Sequence, residues 1–200
     1  MGRLSGERLS SQPLCFNLFG VFKLDMERAN LFFCKLISDY LHHVDGIYFE
    51  HSPGRGDRMF TQDNSAFDVF VTCIAPTGES AFIAIEVKYS ETMTELPAKL
   101  RPRYDELSAV LRMFRDSAAP IMREAPLQQL WREHMLSRAM VKNDGYSQGR
   151  FVVIHPAQNA TVNFPQERIN VSWFRQTQPR LVFNRSLWRS VCLSFPLLTK

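Results

Sequence analysis

The sequence predicts an α/β protein, a sheet with helices packed on it, with elements in the order helix, three strands, helices, strand. Three observations carry this. An apolar stripe at helical spacing opens the body of the chain, two strand-like runs joined by a turn signal follow, and two further helical stripes lead into a short, wholly apolar run.

Before the first helix, residues 10–20 (SSQPLCFNLFG) mix polar side chains with a dense apolar group punctuated by Pro13 and Gly20, which suits a segment packed against the body. Asp25 is a helix N-cap candidate, and Phe33, Leu36, Ile37, Tyr40, Leu41 and Val44 extend one apolar face over a helix from about Met26 to His43. Asp45-Gly46 ends it, and Ile47-Tyr48-Phe49 reads as a short strand leading to the polar, glycine-rich loop 50–58. That loop carries Arg55 and Arg58 but no P-loop pattern, so it suits a surface loop and a nucleic-acid-contacting loop equally.

Residues 66–75 and 80–89 are the two central strand candidates, joined through Pro76-Thr77-Gly78. Side chains alternate faces along a strand, so Glu86 and Lys88 share one face while Ile83, Ile85 and Val87 take the other. If the loop is Pro76-Thr77-Gly78, Ala75 faces Glu79, and counting outward sets Asp68 opposite Glu86. Two acids about 5 Å apart at Cα destabilise a sheet unless a cation lies between them, and the simplest is a hard divalent one. The pair Glu86 and Lys88 alone also suits a solvent-facing strand edge carrying an ion pair.

Residues 90–97 read as a loop. Pro102 suits the first turn of a helix whose Tyr104, Leu107, Val110, Leu111 and Phe114 share a face, with Arg101, Arg103, Arg112 and Arg115 around it. Pro126 can start another helix reaching Asp144-Gly145, in which Gln128, Gln129 and Arg132 stand at spacings that let an amide and a guanidinium share a face. These could orient a phosphate or a lysine, or lie on an ordinary helix surface. Phe151-Val152-Val153-Ile154 reads as a buried strand.

The 200-residue chain fits one domain, with a core over about 25–156 and a basic extension over 160–200. Residues 161–165 could begin an edge element. From Val171 onward the chain carries Arg175, Arg180, Arg185, Arg189 and Lys200 with no acid, interleaved with Trp173, Phe174, Phe183, Trp188 and Phe195 without clear periodicity. Such a stretch suits either single-strand binding by stacking and charge or a peripheral extension. The net charge of +4 permits a polyanion partner without demanding one. No apolar run has the length of a membrane span, and the first residues lack an apolar signal core, so a cytoplasmic, intracellular protein without membrane contact is expected. Cys15, Cys34, Cys73 and Cys192 stand at no zinc or redox spacing, nor do His42, His43, His51, His134 and His155 form a metal-ligand motif.

Phosphodiester hydrolysis needs an activated water, a neutralised phosphate and a stabilised leaving oxygen. Mg²⁺, or Mn²⁺ in its place, can serve all three. Asp68, Glu86 and the Val87 carbonyl could hold it, with Glu50 as a third acid and Lys88 beside it. The segment Ser65-Ala66-Phe67-Asp68, followed after a hairpin by Ile85-Glu86-Val87-Lys88, resembles the PD-(D/E)XK nuclease superfamily over about residues 25–156. Within it the chain looks most like uncharacterised bacterial members with an amino-terminal Ser-Ser-Gln segment, here Ser10-Ser11-Gln12, and a later helix bearing glutamine and arginine. The resemblance implies a restriction-endonuclease-like core, a mixed β-sheet in α-β-β-β-α-β order flanked by helices. It further implies Mg²⁺-dependent cleavage of nucleic acid, with Asp68 and Glu86 as ligands and Lys88 as the catalytic lysine. Phe67 stands where the family name carries proline. DNA is the expected substrate, with another phosphodiester such as RNA as an alternative, and a homodimer would suit symmetric duplex cutting. The rival expectation is a non-catalytic nucleic-acid-binding or assembly protein that has kept the fold, with Arg55, Arg58, Arg101, Arg103 and the carboxyl-terminal arginines contacting phosphates.

Overall fold

The computed structural model describes residues 11–37, 39–88, 97–114, 116–125, 127–156 and 188–195. Its sheet has five strands in the spatial order β1 (His43–His51), β2 (Phe67–Ile74), β3 (Ser80–Val87), β4 (Gln148–Pro156), β5 (Trp188–Phe195). β1, β2 and β3 form an antiparallel meander, β4 runs parallel to β3, and β5 is antiparallel to β4. The parallel step from β3 to β4 requires a crossover, which the helices α3 (Pro102–Leu111) and α4 (Leu127–Asn143) supply.

Two apolar layers sandwich the sheet. On one face Val69, Val71, Cys73, Ile83, Ile85 and Val87 meet α1 (Ser11–Leu24) and α2 (Met26–Leu36) through Phe19, Phe22, Ala29 and Phe33. On the other, Phe70, Phe82, Ala84, Phe151 and Val153 meet Tyr104, Leu107, Trp131, Met135, Leu136 and Met140 of α3 and α4. Covering both faces explains why β3 is apolar almost throughout. It also makes Glu86 and Lys88 costly, since neither can reach water freely. The solvent-facing strand edge is therefore corrected: β3 lies inside the sheet, and both charged residues are buried.

Several boundaries differ from the sequence reading. Residues 11–24 are helical. Pro13 is tolerated because first-turn N–H groups have no intrahelical acceptor, and Gly20 sits inside the helix. Asp25 does cap α2, its carboxylate accepting from the Arg28 N–H over 3.0 Å. That helix stops at Leu36 rather than His43. Ile37, Tyr40, Leu41 and Val44 are buried as foreseen, but from an irregular connection and from β1, whose first residue is already His43. Asn30 helps fix the change of direction by accepting the Val44 N–H over 2.6 Å.

α3 ends at Leu111, so Phe114 is buried beyond it, and Val110 is exposed instead of core-facing. β4 is longer than the predicted 151–154 run. Most of the loop 90–97, Arg115, the 161–165 element and most of the basic carboxyl-terminal stretch lie outside the described residues. Within that stretch, 188–195 forms β5. Among the described residues no helix is long and apolar enough to cross a membrane.

Candidate active site

The hairpin loop sets the register that everything else depends on. Ala75 N–H donates to the Glu79 carbonyl over 2.9 Å, and the pairs run outward from Ile74↔Ser80 to Val69↔Ile85. One step further would oppose Asp68 and Glu86, as counted from the sequence. The paired ladder ends just before that step, while β2 stays paired to β1 as far as His51↔Phe67. By the two-residue alternation of an antiparallel ladder, Val87 would next bond Phe67. Its N–H instead donates to Asp68 Oδ2 over 2.7 Å. The two strands separate here and the Asp68 carboxylate fills the opening. The N–H and C=O of one strand residue point to the same side, so the Val87 carbonyl faces the same opening as its N–H.

Glu86 and Lys88 project toward α4. Lys88 Nζ lies 2.7 Å from Glu86 Oε1 and donates to Gln129 Oε1 over 2.9 Å. Gln129 Nε2 donates to Glu86 Oε1 over 2.9 Å and to Glu133 Oε1 over 2.8 Å. Two carboxylates, an ammonium and one amide thus form a closed network. Glu86 and Glu133 are each 3% exposed and Lys88 is 7% exposed. Burial raises the Glu86 carboxyl well above its ordinary value; the Glu133 and Asp68 charges add to this, and the Lys88 ammonium opposes it. Burial likewise lifts Glu133 to about 7, with Lys88, the Gln129 hydrogen bond and Arg132 pulling the other way. Glu133 Oε2 is buried and has no hydrogen-bond partner among the described residues.

The remaining candidates are distributed around this centre. Glu50, exposed near the end of β1 with φ 51°, accepts from Gln12 Nε2 over 3.2 Å. Gln12 belongs to the Ser-Ser-Gln segment, of which Ser10 lies outside the described residues, and α1 carries Gln12 to Glu50. Cys15 of the same helix donates its Sγ–H to the Asp68 carbonyl over 3.5 Å, and burial together with the Asp68, Glu50 and Glu86 charges pushes its thiol far up. Gln12 and Cys15 thus place α1 beside Glu50 and the Asp68 backbone.

Arg132 is engaged by an acid and a hydroxyl of the loop before β2. Its Nη1 donates to Asp63 Oδ2 over 3.0 Å and to Ser65 Oγ over 2.8 Å. Asp63 also accepts from Thr61 Oγ1, Ser65 N–H and Oγ, and Tyr104 OH. Burial would raise this carboxyl, but those hydrogen bonds outweigh burial and hold it at about 2. Loop 52–66 is thereby tied to α3 and α4. Gly54 is required within it, since at φ +54° a Cβ would stand 1.9 Å from the Phe60 ring. Gln128, fully inside, clasps the Ala98 backbone with both amide atoms, at 2.6 and 2.7 Å. Arg103 donates to the Phe60 carbonyl and pairs with Glu106, which Arg58 also approaches. Arg55 and Arg101 are exposed.

Sequence reasoning missed Glu133 and Asp63. Glu133 stands four residues after Gln129, a helix-face spacing visible in the sequence, but its burial depends on how α4 docks. Asp63 had only a polar turn around it.

Among the described residues no three acids, histidines or cysteines converge as a ready-made metal cage, so Glu50, Asp68 and Glu86 do not form a three-carboxylate cluster. The donor set still fits a hard divalent cation. Mg²⁺ keeps several waters and takes only one or two carboxylates. Glu86 lies against Lys88, shares the Gln129 amide with Glu133 and feels the Asp68 charge, while the buried Glu133 Oε2 has no partner among the described residues. Burial is the first cause of both raised carboxyls, and the neighbouring acids add to it.

A three-layer α/β/α fold with a mixed sheet, whose separating strands present an acid against a buried acid and lysine two positions apart, is the architecture of a restriction-endonuclease-like nuclease core. A family model of the PD-(D/E)XK nuclease superfamily matches residues 1–183, and the chain belongs to that superfamily. No curated protein and no solved structure matches it.

Proposed function

We propose that this protein is a Mg²⁺-dependent nuclease that hydrolyses phosphodiester bonds in DNA, with Asp68, Glu86 and the Val87 carbonyl holding the metal. The observation that carries this reading is the junction of the Asp68 carboxylate, held at Val87 by its N–H, with the buried network of Glu86, Lys88 and Gln129. A bound divalent ion would supply charge neutralisation and a more acidic water at this opening.

The protein's own groups supply the rest. Asp68 and Glu86 present carboxylate oxygens from two separating strands as fixed ligand atoms for that ion, without which the two acids would repel an approaching phosphate. The Lys88 ammonium, held against Glu86 Oε1 and Gln129 Oε1, is positioned to steady the attacking water or to hydrogen-bond the charge developing on the phosphate. Glu50, held by Gln12, is a candidate outer ligand. Arg55, Arg58 and Arg101 lie on the exposed surface, where phosphate contacts would position the duplex.

The test is incubation with supercoiled, linear and single-stranded DNA and with RNA, in Mg²⁺, in Mn²⁺ and in chelator. DNA cleavage that requires the metal and is lost in Glu86→Ala and Lys88→Ala supports the reading. Binding without cleavage of any of these substrates contradicts it and favours a non-catalytic nucleic-acid-binding protein.

A further inference from the structure

Glu133 has no place in the metal-binding set above, yet it is as buried as Glu86 and shares a hydrogen-bond donor with it. What it does follows from the asymmetry of an amide. Gln129 has one acceptor end and one end carrying two N–H groups. Its acceptor end faces the Lys88 ammonium, and its two N–H groups are divided between Glu86 Oε1 and Glu133 Oε1. Rotating the amide by half a turn would point N–H groups at the ammonium and the carbonyl oxygen at two carboxylates, so every contact would become repulsive. With Glu133 in place, only one orientation satisfies the buried groups.

We infer that Glu133 is a positioning residue: by accepting one Gln129 N–H it fixes the amide so that the Gln129 carbonyl holds the Lys88 ammonium against Glu86. The inference rests on the nuclease reading only for its effect on turnover; the positioning itself is a property of the protein without substrate. Glu133 sits on α4 one turn beyond Gln129, so the rigid helix sets the distance between the two. The carboxylate acts through its position as an acceptor. An uncharged acceptor at the same distance would serve, and a charged one set further back would not.

That contrast makes the test. Glu133→Gln keeps a carbonyl oxygen at the same reach, and Glu133→Asp keeps the charge but withdraws the acceptor by one carbon. Hydrogen exchange of the Gln129 side-chain amide is read by NMR in both variants and in the wild type, alongside DNA cleavage in Mg²⁺ and thermal unfolding.

In Glu133→Gln, slow amide exchange is retained and turnover stays within about threefold of the wild type. In Glu133→Asp, exchange accelerates at least tenfold and turnover falls by about 10- to 100-fold, the usual cost of removing a group that orients a site residue. KM stays within about threefold and the melting temperature does not track the loss. The opposite ranking, with Glu133→Asp active and Glu133→Gln impaired, assigns Glu133 an electrostatic role and overturns the inference. So does an amide exchange rate unchanged in Glu133→Asp. If the wild type cleaves nothing while the exchange contrast holds, the nuclease reading falls and the positioning role stands.

Discussion

The Val87 N–H donates to Asp68 Oδ2 over 2.7 Å, at the step where β2 and β3 stop pairing. A side chain thus replaces a ladder acceptor, and the same carboxylate that opens the sheet satisfies the strand it has left. Asp68 therefore has a structural task besides the proposed metal task, and the two can be separated.

Asp68→Asn keeps an oxygen for the Val87 N–H and removes the charge. Its stability should remain within about 1 kcal/mol of the wild type, while DNA cleavage in Mg²⁺ falls by about 10²-fold or more. Asp68→Ala should show the same loss of cleavage and, in addition, a cost of about 1–3 kcal/mol from the unsatisfied N–H. Urea unfolding of both variants checks the difference.

Lys88→Met leaves Glu86 buried without its ammonium partner. A loss of about 3–5 kcal/mol is expected near pH 8, as for other half-removed buried pairs. The loss should shrink toward pH 5, because burial already favours protonated Glu86. Adding Glu86→Gln should recover most of the stability and none of the cleavage.

The pH dependence of stability in the metal-free protein has two arms of opposite sign. His134, sandwiched near Phe114 and Phe151, is pushed from an ordinary 6.5 to about 3 by burial and the neighbouring Arg138 charge. Its contribution is complete above 6.5 and is lost as pH falls toward 3, because only the unfolded chain takes up the proton readily. Glu133, raised to about 7, contributes fully below an ordinary 4.5 and loses that contribution as pH rises through 7. Urea midpoints measured from pH 4 to 8 in chelator should therefore flatten on the alkaline side in Glu133→Gln and on the acid side in His134→Leu.

The arginines divide by environment. Arg55→Ala and Arg101→Ala should each weaken DNA binding and lower the slope of log K against log salt by about 0.9 for each phosphate no longer neutralised. Arg132→Ala should instead lower stability by about 1–3 kcal/mol through Asp63, since its guanidinium is engaged in holding loop 52–66. Salt-titrated binding and thermal melts distinguish the two groups.

The hairpin was legible because Pro76-Thr77-Gly78 leaves one natural pairing, and strand alternation then carries Asp68, Glu86 and Lys88 to one face without further assumptions. Apolar spacing located core positions better than it located element ends. Ile37, Tyr40, Leu41 and Val44 are buried whether helical or not, so their pattern could not show that α2 stops at Leu36. β5 was not legible because its residues 188–195 do not alternate, and it is a strand through pairing with β4. Glu133 was hidden for a different reason: a charged residue on a helix is buried only if tertiary docking puts it there, and the partners that make this tolerable, Gln129 and Lys88, lie on two different elements.

A metal-dependent role for Glu86 is tested most directly by the initial rate of supercoiled DNA cleavage across a Mg²⁺ titration, measured for the wild type and for Glu86→Gln. Saturable, chelator-reversible cleavage is expected of the wild type, with loss of that metal-dependent rate in Glu86→Gln and the fold retained. Wild-type cleavage that is indifferent to Mg²⁺, or a Glu86→Gln variant that cleaves as the wild type does, would contradict it.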